Sequence, residues 1–229
     1  MQRLASLRKL TPMPSLTEQA YEAIREAIAS LRLLPGEAIS ENSLADQLGI
    51  SRSPTRQALK LLEHEGLVVT QPQRGTYVTK LNEQEAADAV VMRKLLESWA
   101  LDEMSTKALM PNLSVLESLL HAQEHAADQR QYMAFLDLDT RFHAEILAGA
   151  GNRKAVDLFH MLNTTILRVR SWTLLRPKNL GAGPKEHRAI YEAIAATDWD
   201  TVRKLLLGND DELLAAITHM KRDEPDLFE

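Results

Sequence analysis

The chain has 229 residues, of which 45% are hydrophobic and 26% charged, and its formal net charge is −5. This length and apolar content suit two modest globular domains and exclude a mostly disordered chain. It has no cysteine, which excludes disulfides and thiolate metal sites. No apolar run reaches the length of a membrane span, and the N-terminus lacks the apolar core of a signal peptide. We therefore expect a cytoplasmic protein without a membrane partner.

The charge is distributed unevenly along the chain. Residues 1–80 carry 10 Lys and Arg against 8 Asp and Glu, whereas residues 81–229 carry 17 against 24. Because binding to a polyanion depends on charge at the contact surface, an acidic protein can still bind DNA through its N-terminal part. Residues 1–14 contain two prolines and no periodicity, which predicts a flexible arm. Its basic residues could add phosphate contacts: Arg3, Arg8 and Lys9.

Three helices are predicted after the arm. The first is amphipathic, spans Thr17–Leu33 and is stopped by Pro35-Gly36. The second spans Glu41–Leu48, with its apolar residues on one face, and ends at the turn Gly49-Ile50-Ser51.

The third helix should begin at Ser53, which can act as N-cap, with Pro54 in the first helical position. Two short helices joined by a tight glycine turn form a helix-turn-helix, although the spacing alone also fits an ordinary helical hairpin in a core. The polar and basic start of the third helix is the end that reaches base edges in a major groove.

A hairpin is predicted directly after the third helix. Leu67–Thr70 and Thr76–Thr79 have strand character and flank a turn over Gln71–Gly75. Arg74 supplies charge at the tip, and Gly75 allows the backbone to approach a phosphate closely. The pattern therefore predicts a wing beside a recognition helix.

Several motifs in this region occur in a characteristic order. They are Leu34-Pro35-Gly36-Glu37, Ser51-Arg52-Ser53-Pro54-Thr55-Arg56-Gln57-Ala58-Leu59 and Leu62-Glu63-His64-Glu65-Gly66-Leu67-Val68. Residues 17–80 resemble the winged helix of GntR-type bacterial transcription regulators. The resemblance implies operator binding, with Arg52 and Arg56 as base-reading arginines. The other DNA-binding positions are Ser51, Ser53, Thr55, Arg74 and Gly75.

The remainder of the chain is predicted to be all helical. Lys80-Leu81-Asn82 is the expected linker, and Asn82 with Glu85 forms a plausible capping box. The predicted helices cover residues 82–109, 114–128, 130–149, 152–174, 184–196 and 198–220, with one break in the Pro177–Pro184 loop. The fold class is thus mostly α: a winged helix-turn-helix at 15–80, then a six-helix bundle at 81–229 for effector binding and dimerisation.

Three residues of the predicted bundle could hold a divalent metal ion. Asp139 and His143 lie four apart, so they project from one helix face, and His187 follows on a later helix. Such side chains could converge on a cation. From spacing alone, a surface Asp139–His143 ion pair and a solvated His187 are the better reading.

A second resemblance bears on these residues. Arg93-Lys94-Leu95-Leu96-Glu97, Asp139-Thr140-Arg141-Phe142-His143 and Glu186-His187 occur in the order and at the separations of the FadR C-terminal (FCD) effector domain, over residues 88–215. The resemblance implies a Zn²⁺ or Ni²⁺ site with one aspartate and three histidines. The fourth position is Asn209, whose amide oxygen is a poorer ligand than imidazole.

Arginine suits a carboxylate effector because its planar fork donates two parallel hydrogen bonds. The predicted effector-binding residues are Arg93, favoured by the resemblance, and Arg168. Arg168 and Arg170 cannot face one cavity from a helix, so one of them should be on the surface. A salt bridge from Arg93 to Glu97 is an equally good interpretation of Arg93.

Together these patterns predict a sequence-specific transcription regulator, which we expect to act as a repressor. A homodimer would bind a palindromic operator, and a small carboxylate would control it. Two alternatives remain. One is a metal-dependent hydrolase or lyase using Asp139, His143 and His187. The other is a constitutive DNA-binding protein whose effector pocket is empty or closed.

Overall fold

The computed structural model describes residues 14–174 and 183–229. The basic residues of the predicted arm lie outside the described residues, as does most of the loop predicted between Pro177 and Pro184. The described chain divides into two compact units. The winged unit comprises residues up to Glu26 and Glu37–Thr79, and the helical unit comprises Ala27–Gly36 and Lys80–Glu229.

The winged unit contains helix α1 (Leu16–Ala29, up to Glu26), strand β1 (Ala38–Ile39), helices α2 (Glu41–Leu48) and α3 (Arg52–His64), and strands β2 (Val68–Gln71) and β3 (Gly75–Val78). Its core is formed by apolar residues at helical spacing, because burial of that face offsets the entropy of ordering short helices. The buried side chains include Ala20, Ile24, Ala45, Ala58, Leu59 and Leu62.

The helix-turn-helix forms as the sequence predicts, with one correction at the start of α3. Ser40 caps α2 by accepting from the Ser43 N–H, and Gly49 ends it with a φ of 66°. Helix α3 begins at Arg52 with Ser51 at the N-cap, so Ser53 is not the cap. Pro54 is tolerated as the third helical residue because the first four N–H groups of a helix have no acceptor within it.

The wing is part of a three-stranded antiparallel sheet in the order β1-β3-β2. Val68 pairs with Val78 and Gln71 with Gly75, so the hairpin closes over Gln71–Gly75. Strand β1 has two residues and was not predicted; Ala38 pairs with Tyr77. A two-residue strand has no periodicity of its own and exists because β3 offers it a partner.

The six predicted helices of the helical unit are all present. They are α4 (Glu83–Lys107), α5 (Leu113–Asp128), α6 (Tyr132–Ala148), α7 (Arg153–Leu174), α8 (Gly183–Ala195) and α9 (Trp199–Asp223). Asn82 caps α4 by accepting from the Glu85 N–H at 3.0 Å, as predicted. None of the described helices is long and apolar enough to cross a membrane.

Two segments of the helical unit were not predicted. The first helix ends at Ala29 rather than Leu33, because Leu31 takes a φ of 57°. The Ser171 hydroxyl then donates to the Ala29 carbonyl at 2.6 Å. At the other end of the sequence, Phe228 forms a parallel bridge with Leu81 in the linker before α4, and both side chains are buried.

Candidate functional site

The start of α3 presents the residues predicted to bind DNA. Ser51, Arg52 and Ser53 are exposed there, and Arg56 follows one turn later. The opposite face of α3 is buried through Ala58, Leu59 and Leu62. Core packing on one face therefore holds the polar and basic end of the helix toward solvent, which is the arrangement that major-groove recognition needs.

Arg56 is oriented by a carboxylate of the neighbouring helix. Its Nε and Nη2 donate to the two Glu41 carboxylate oxygens at 2.9 and 2.8 Å. The hydrogen bond from Arg56 lowers the pKa of Glu41. The Arg56 side chain remains 62% exposed, so the fork geometry fixes its direction without removing it from the surface.

Thr55 is the one residue of the predicted DNA-binding set that the structure moves to another role. Its side chain is 0% exposed, and its hydroxyl donates to the Ser51 carbonyl at 3.1 Å. The prediction that Thr55 contacts DNA is therefore wrong for its side chain, because a fully buried hydroxyl cannot reach a base or phosphate. Thr55 instead secures the first turn of α3.

The wing tip carries Arg74 and Gly75, which are both exposed. Gly75 has a φ of 109°, a conformation that side chains other than hydrogen rarely allow. The Tyr77 hydroxyl donates to the Arg74 carbonyl at 3.0 Å and ties the turn to β3. The tip is thus a braced turn with one exposed cation.

In the helical unit, Asp139, His143 and His187 converge. Asp139 and His143 lie one turn apart on α6, His187 lies on α8, and their potential ligand atoms are all within 4.8 Å of one another. Their exposures are 3%, 0% and 2%. The alternative of a surface ion pair with a solvated His187 is therefore wrong, because the packing of α6 and α8 buries all three residues.

A neighbouring side chain orients His187. Its Nδ1 lies 2.5 Å from Gln123 Oε1, and the Gln123 amide nitrogen donates to the Leu138 carbonyl at 3.1 Å. Because the amide oxygen of Gln123 accepts, Nδ1 of His187 carries the proton and Nε2 keeps its lone pair. That Nε2 faces Asp139 Oδ1 at 3.4 Å. An oxygen acceptor behind the imidazole is the usual support of a metal-ligating histidine.

Glu97 on α4 lies beside His143. Its Oε1 is 3.0 Å from His143 Nδ1 without hydrogen-bond geometry, so both buried ring nitrogens of His143 have no hydrogen-bond partner among the described residues. Burial, followed by the nearby charge of Arg93, lowers the pKa of His143 well below its usual value. Burial also lowers the pKa of His187 to about 4. Both imidazoles are therefore neutral at pH 7, the form that binds metal.

Asp139 is ionised and already has a cationic neighbour, Arg170. Burial alone would raise the pKa of Asp139, but the charge of Arg170 outweighs it and holds the pKa well below its usual range. The Arg170 guanidinium contacts Asp139 Oδ2. A carboxylate and two neutral imidazoles, one with an unpartnered buried nitrogen, fit a divalent metal ion as three of its ligands.

Beside this cluster lies a cavity of about 1190 Å³ between α6, α7, α8 and α9. Among the described residues that line it are Arg170, Glu186, Asn209, Glu212, Ala215 and His219. Asn209 faces this cavity from α9. A cavity of this size argues against a closed effector pocket and is compatible with an empty one.

The two predicted effector arginines do not line this cavity. Arg93 is fully buried, with its guanidinium 3.1 Å from both Glu97 and Asp210, so the salt-bridge interpretation is the one that the structure supports. Arg168 is also buried. The expectation that Arg168 or Arg170 is on the surface is wrong, because α7 packs against α4, α6 and α9. Arg170, not Arg168, faces the cavity.

Both units match known families. Residues 16–78 match the bacterial regulatory proteins of the gntR family, and residues 88–208 match the FCD domain. The chain is 26% identical to the HTH-type transcriptional repressor RspR of Escherichia coli over 96% of both chains. It is also 26% identical to a probable D-xylose utilization operon transcriptional repressor of Paenarthrobacter nicotinovorans, over 94% of both.

A solved structure shows the same fold. The E. coli protein McbR/YncC superposes with a TM-score of 0.76 at 20% identity, covering 91% of this chain and 99% of that one. The predicted fold class, a winged helix-turn-helix followed by an all-α bundle, is confirmed. The alternative of a hydrolase or lyase is not supported, because the matching families are regulators. The chain therefore belongs to the GntR family of bacterial regulators, DNA-binding transcription regulators rather than enzymes, with an FCD domain at its C-terminal side.

Proposed function

We propose that this regulator is a dimeric repressor that binds a palindromic operator and responds to a small carboxylate bound beside a divalent metal ion. The observation that carries the proposal is the convergence of Asp139, His143 and His187 next to a cavity that also presents Arg170. Repression is supported by the names of the two relatives described above.

On the DNA side, Arg52 and Arg56 read bases from the start of α3, and Ser51 and Ser53 contact phosphate and base groups beside them. Arg74 and the Gly75 backbone bind a phosphate from the wing. The exposure of these residues supports this assignment. The Glu41 pair supports base readout by Arg56 in particular, since a guanidinium held in a fixed direction loses less entropy when it binds guanine.

In the helical unit, Asp139, His143 and His187 would hold Zn²⁺ or Ni²⁺, as some FCD domains do. When bound, the metal would supply a Lewis acid that accepts a carboxylate oxygen. Asn209 is a weak fourth ligand, and water can take that place. Gln123 keeps the His187 imidazole in the ligating tautomer, and Glu97 lies 3.0 Å from Nδ1 of His143. The carboxylate shifts DNA affinity by the difference in its affinity for the DNA-bound and free states.

Dimerisation is supported by an apolar surface on two neighbouring helices of the helical unit. Large apolar side chains of α4 and α7 are exposed: Val91, Met92, Leu95, Leu158 and Met161. Contiguous apolar patches on a soluble protein mark interaction sites, and a second copy of the chain is the partner that a palindromic operator requires. Leu95→Glu should yield monomers in sedimentation velocity, whereas Val69→Glu, at an exposed valine of the winged unit, should not.

The test begins with selection of a preferred duplex from a random pool, followed by fluorescence anisotropy. Arg52→Ala and Arg56→Ala should each weaken specific binding by about 1–3 kcal/mol and non-specific binding by less. Equal losses on both duplexes would reject base readout. Carboxylates are then titrated into the operator complex with Zn²⁺ present. If none of a panel of mono- and dicarboxylates releases the operator, the effector proposal is wrong.

A further inference from the structure

Arg170 belongs both to the cavity and to the buried cluster. Its side chain is 12% exposed, it lines the cavity, and its Nη1 contacts Asp139 Oδ2. Asp139, His143 and His187 are at most 3% exposed and are not among the described residues that line the cavity. The Arg170 guanidinium thus lies between the cavity and the ligand atoms.

This position makes Arg170 a competitor of any cation that enters the cluster. Asp139 is the one carboxylate of the three converging residues, and Arg170 already neutralises it. Two cations on one buried carboxylate repel each other strongly, because little water screens them. A divalent ion at the cluster would therefore weaken the contact between Arg170 and Asp139.

A released Arg170 has the cavity beside it. The planar guanidinium of Arg170 suits a carboxylate. It already lines the cavity on one side while it contacts Asp139 on the other. The competing destination is Glu186, a carboxyl group that lines the same cavity.

We propose that Arg170 alternates between two anions: it occludes the cluster while paired with Asp139, and it binds an incoming carboxylate when a divalent cation takes Asp139. This inference rests on the proposed metal site. It follows that cation and carboxylate bind cooperatively, and that each raises the affinity for the other by the same factor. A carboxylate alone binds more weakly, because Arg170 then stays paired with Asp139. A cation alone also binds more weakly, because the displaced Arg170 then has no anion to pair with.

The experiment measures Zn²⁺ affinity of the full chain by competition with a fluorescent chelator, with and without benzoate, which chelates zinc weakly. Arg170→Gln should bind Zn²⁺ about tenfold more tightly than the wild type, in the usual range of site couplings. Benzoate should tighten Zn²⁺ binding by the wild type and leave Arg170→Gln unchanged. Arg141→Gln is the matched control, because Arg141 lies on α6 but pairs with Asp137 at the surface. It should behave as the wild type.

Each part can fail separately. Equal Zn²⁺ affinity of the wild type and Arg170→Gln would overturn occlusion, while the metal site would stand. A wild type insensitive to benzoate would overturn carboxylate binding by Arg170 and indicate release toward Glu186. No Zn²⁺ binding by either would overturn the metal site and the inference together. Arg170→Lys retains the charge without the fork, so it should bind Zn²⁺ as weakly as the wild type and respond less to benzoate. It provides the test if Arg170→Gln misfolds.

Discussion

Arg93 is the residue for which sequence and structure give the most distinct expectations. As an effector-binding residue it would be dispensable for folding; as the cation of a buried network it would not. Its guanidinium is 3.1 Å from Glu97 on α4 and from Asp210 on α9, and all three side chains are 0% exposed. It also lies over the Phe159 ring, 5.1 Å from the centroid. We therefore expect Arg93→Met to destabilise the helical unit.

The size of the effect follows from what the substitution leaves behind. Methionine fills much of the volume, so the main loss is electrostatic: two carboxyl groups remain buried without a cation. Removing one partner of a buried ion pair costs about 3–5 kcal/mol. Asp210→Asn should instead stabilise the helical unit at pH 7, by up to about 1.4 kcal/mol for each pH unit above the ordinary pKa of aspartate, because burial and the charge of Glu97 raise the pKa of Asp210 to about 8 and the wild type must bind a proton there to fold. At pH 7 that carboxyl group already carries a proton.

Tryptophan fluorescence in urea is a suitable assay, since Trp99, Trp172 and Trp199 all lie in the helical unit. The pH dependence gives a second readout. Between about pH 4 and 8 the folded state holds a proton on Asp210 that the unfolded state has lost. Stability therefore falls as pH rises, by up to about 1.4 kcal/mol per unit, and Asp210→Asn should remove that component. An Arg93→Met variant as stable as the wild type but unresponsive to carboxylate would refute this reasoning and restore Arg93 as an effector-binding residue.

Three smaller predictions concern single contacts. Arg74→Ala should lower the slope of log affinity against log salt by about 1 on every duplex; an unchanged slope would exclude a phosphate contact. Thr55→Val should cost about 1 kcal/mol of winged-unit stability through the lost bond to the Ser51 carbonyl, measured by thermal unfolding. Its operator affinity should remain that of the wild type. Phe228→Ala should destabilise the helical unit by about 3–5 kcal/mol in urea, and a loss below 1 kcal/mol would show that its packing around Leu81 is dispensable.

The helices could be predicted because their ends depend on local chemistry. Asn82, Asn112 and Asp198 each cap a helix by accepting from the N–H three residues later, a signal contained in four residues of sequence. The bridge between Leu81 and Phe228 joins residues at opposite ends of the helical unit. No local pattern encodes such a pairing, because each partner is ordered only by the other.

The candidate site could likewise be predicted where its signals are local, and not where they depend on residues far apart in the sequence. The spacing of Asp139 and His143 on one helix is local, and the resemblance added His187. Their supporting residues were missed. Gln123 lies within His121-Ala-Gln-Glu-His125, where the two histidines suggest a solvated face; both are exposed, and Gln123 between them is buried. Likewise, helical periodicity places Arg168 and Arg170 on different faces of α7, but it cannot show which of these two faces borders a cavity.

Asn209 offers the most direct test of how far this site departs from a four-ligand metal centre. Asn209→His restores the ligand that the resemblance implies, on a residue that already lines the cavity. Four ligands give structural zinc sites roughly 10–16 kcal/mol, so one more imidazole should add about 2.5–4 kcal/mol, or roughly 70- to 900-fold in Zn²⁺ affinity. Ala215→His is the matched control, because Ala215 lines the same cavity farther along α9. If both histidines gave the same gain, simple chelation at the cavity wall would explain it. If neither did, Asn209 would not face the metal. A gain confined to Asn209→His would mean that the natural asparagine weakens the metal enough for Arg170 to compete for Asp139.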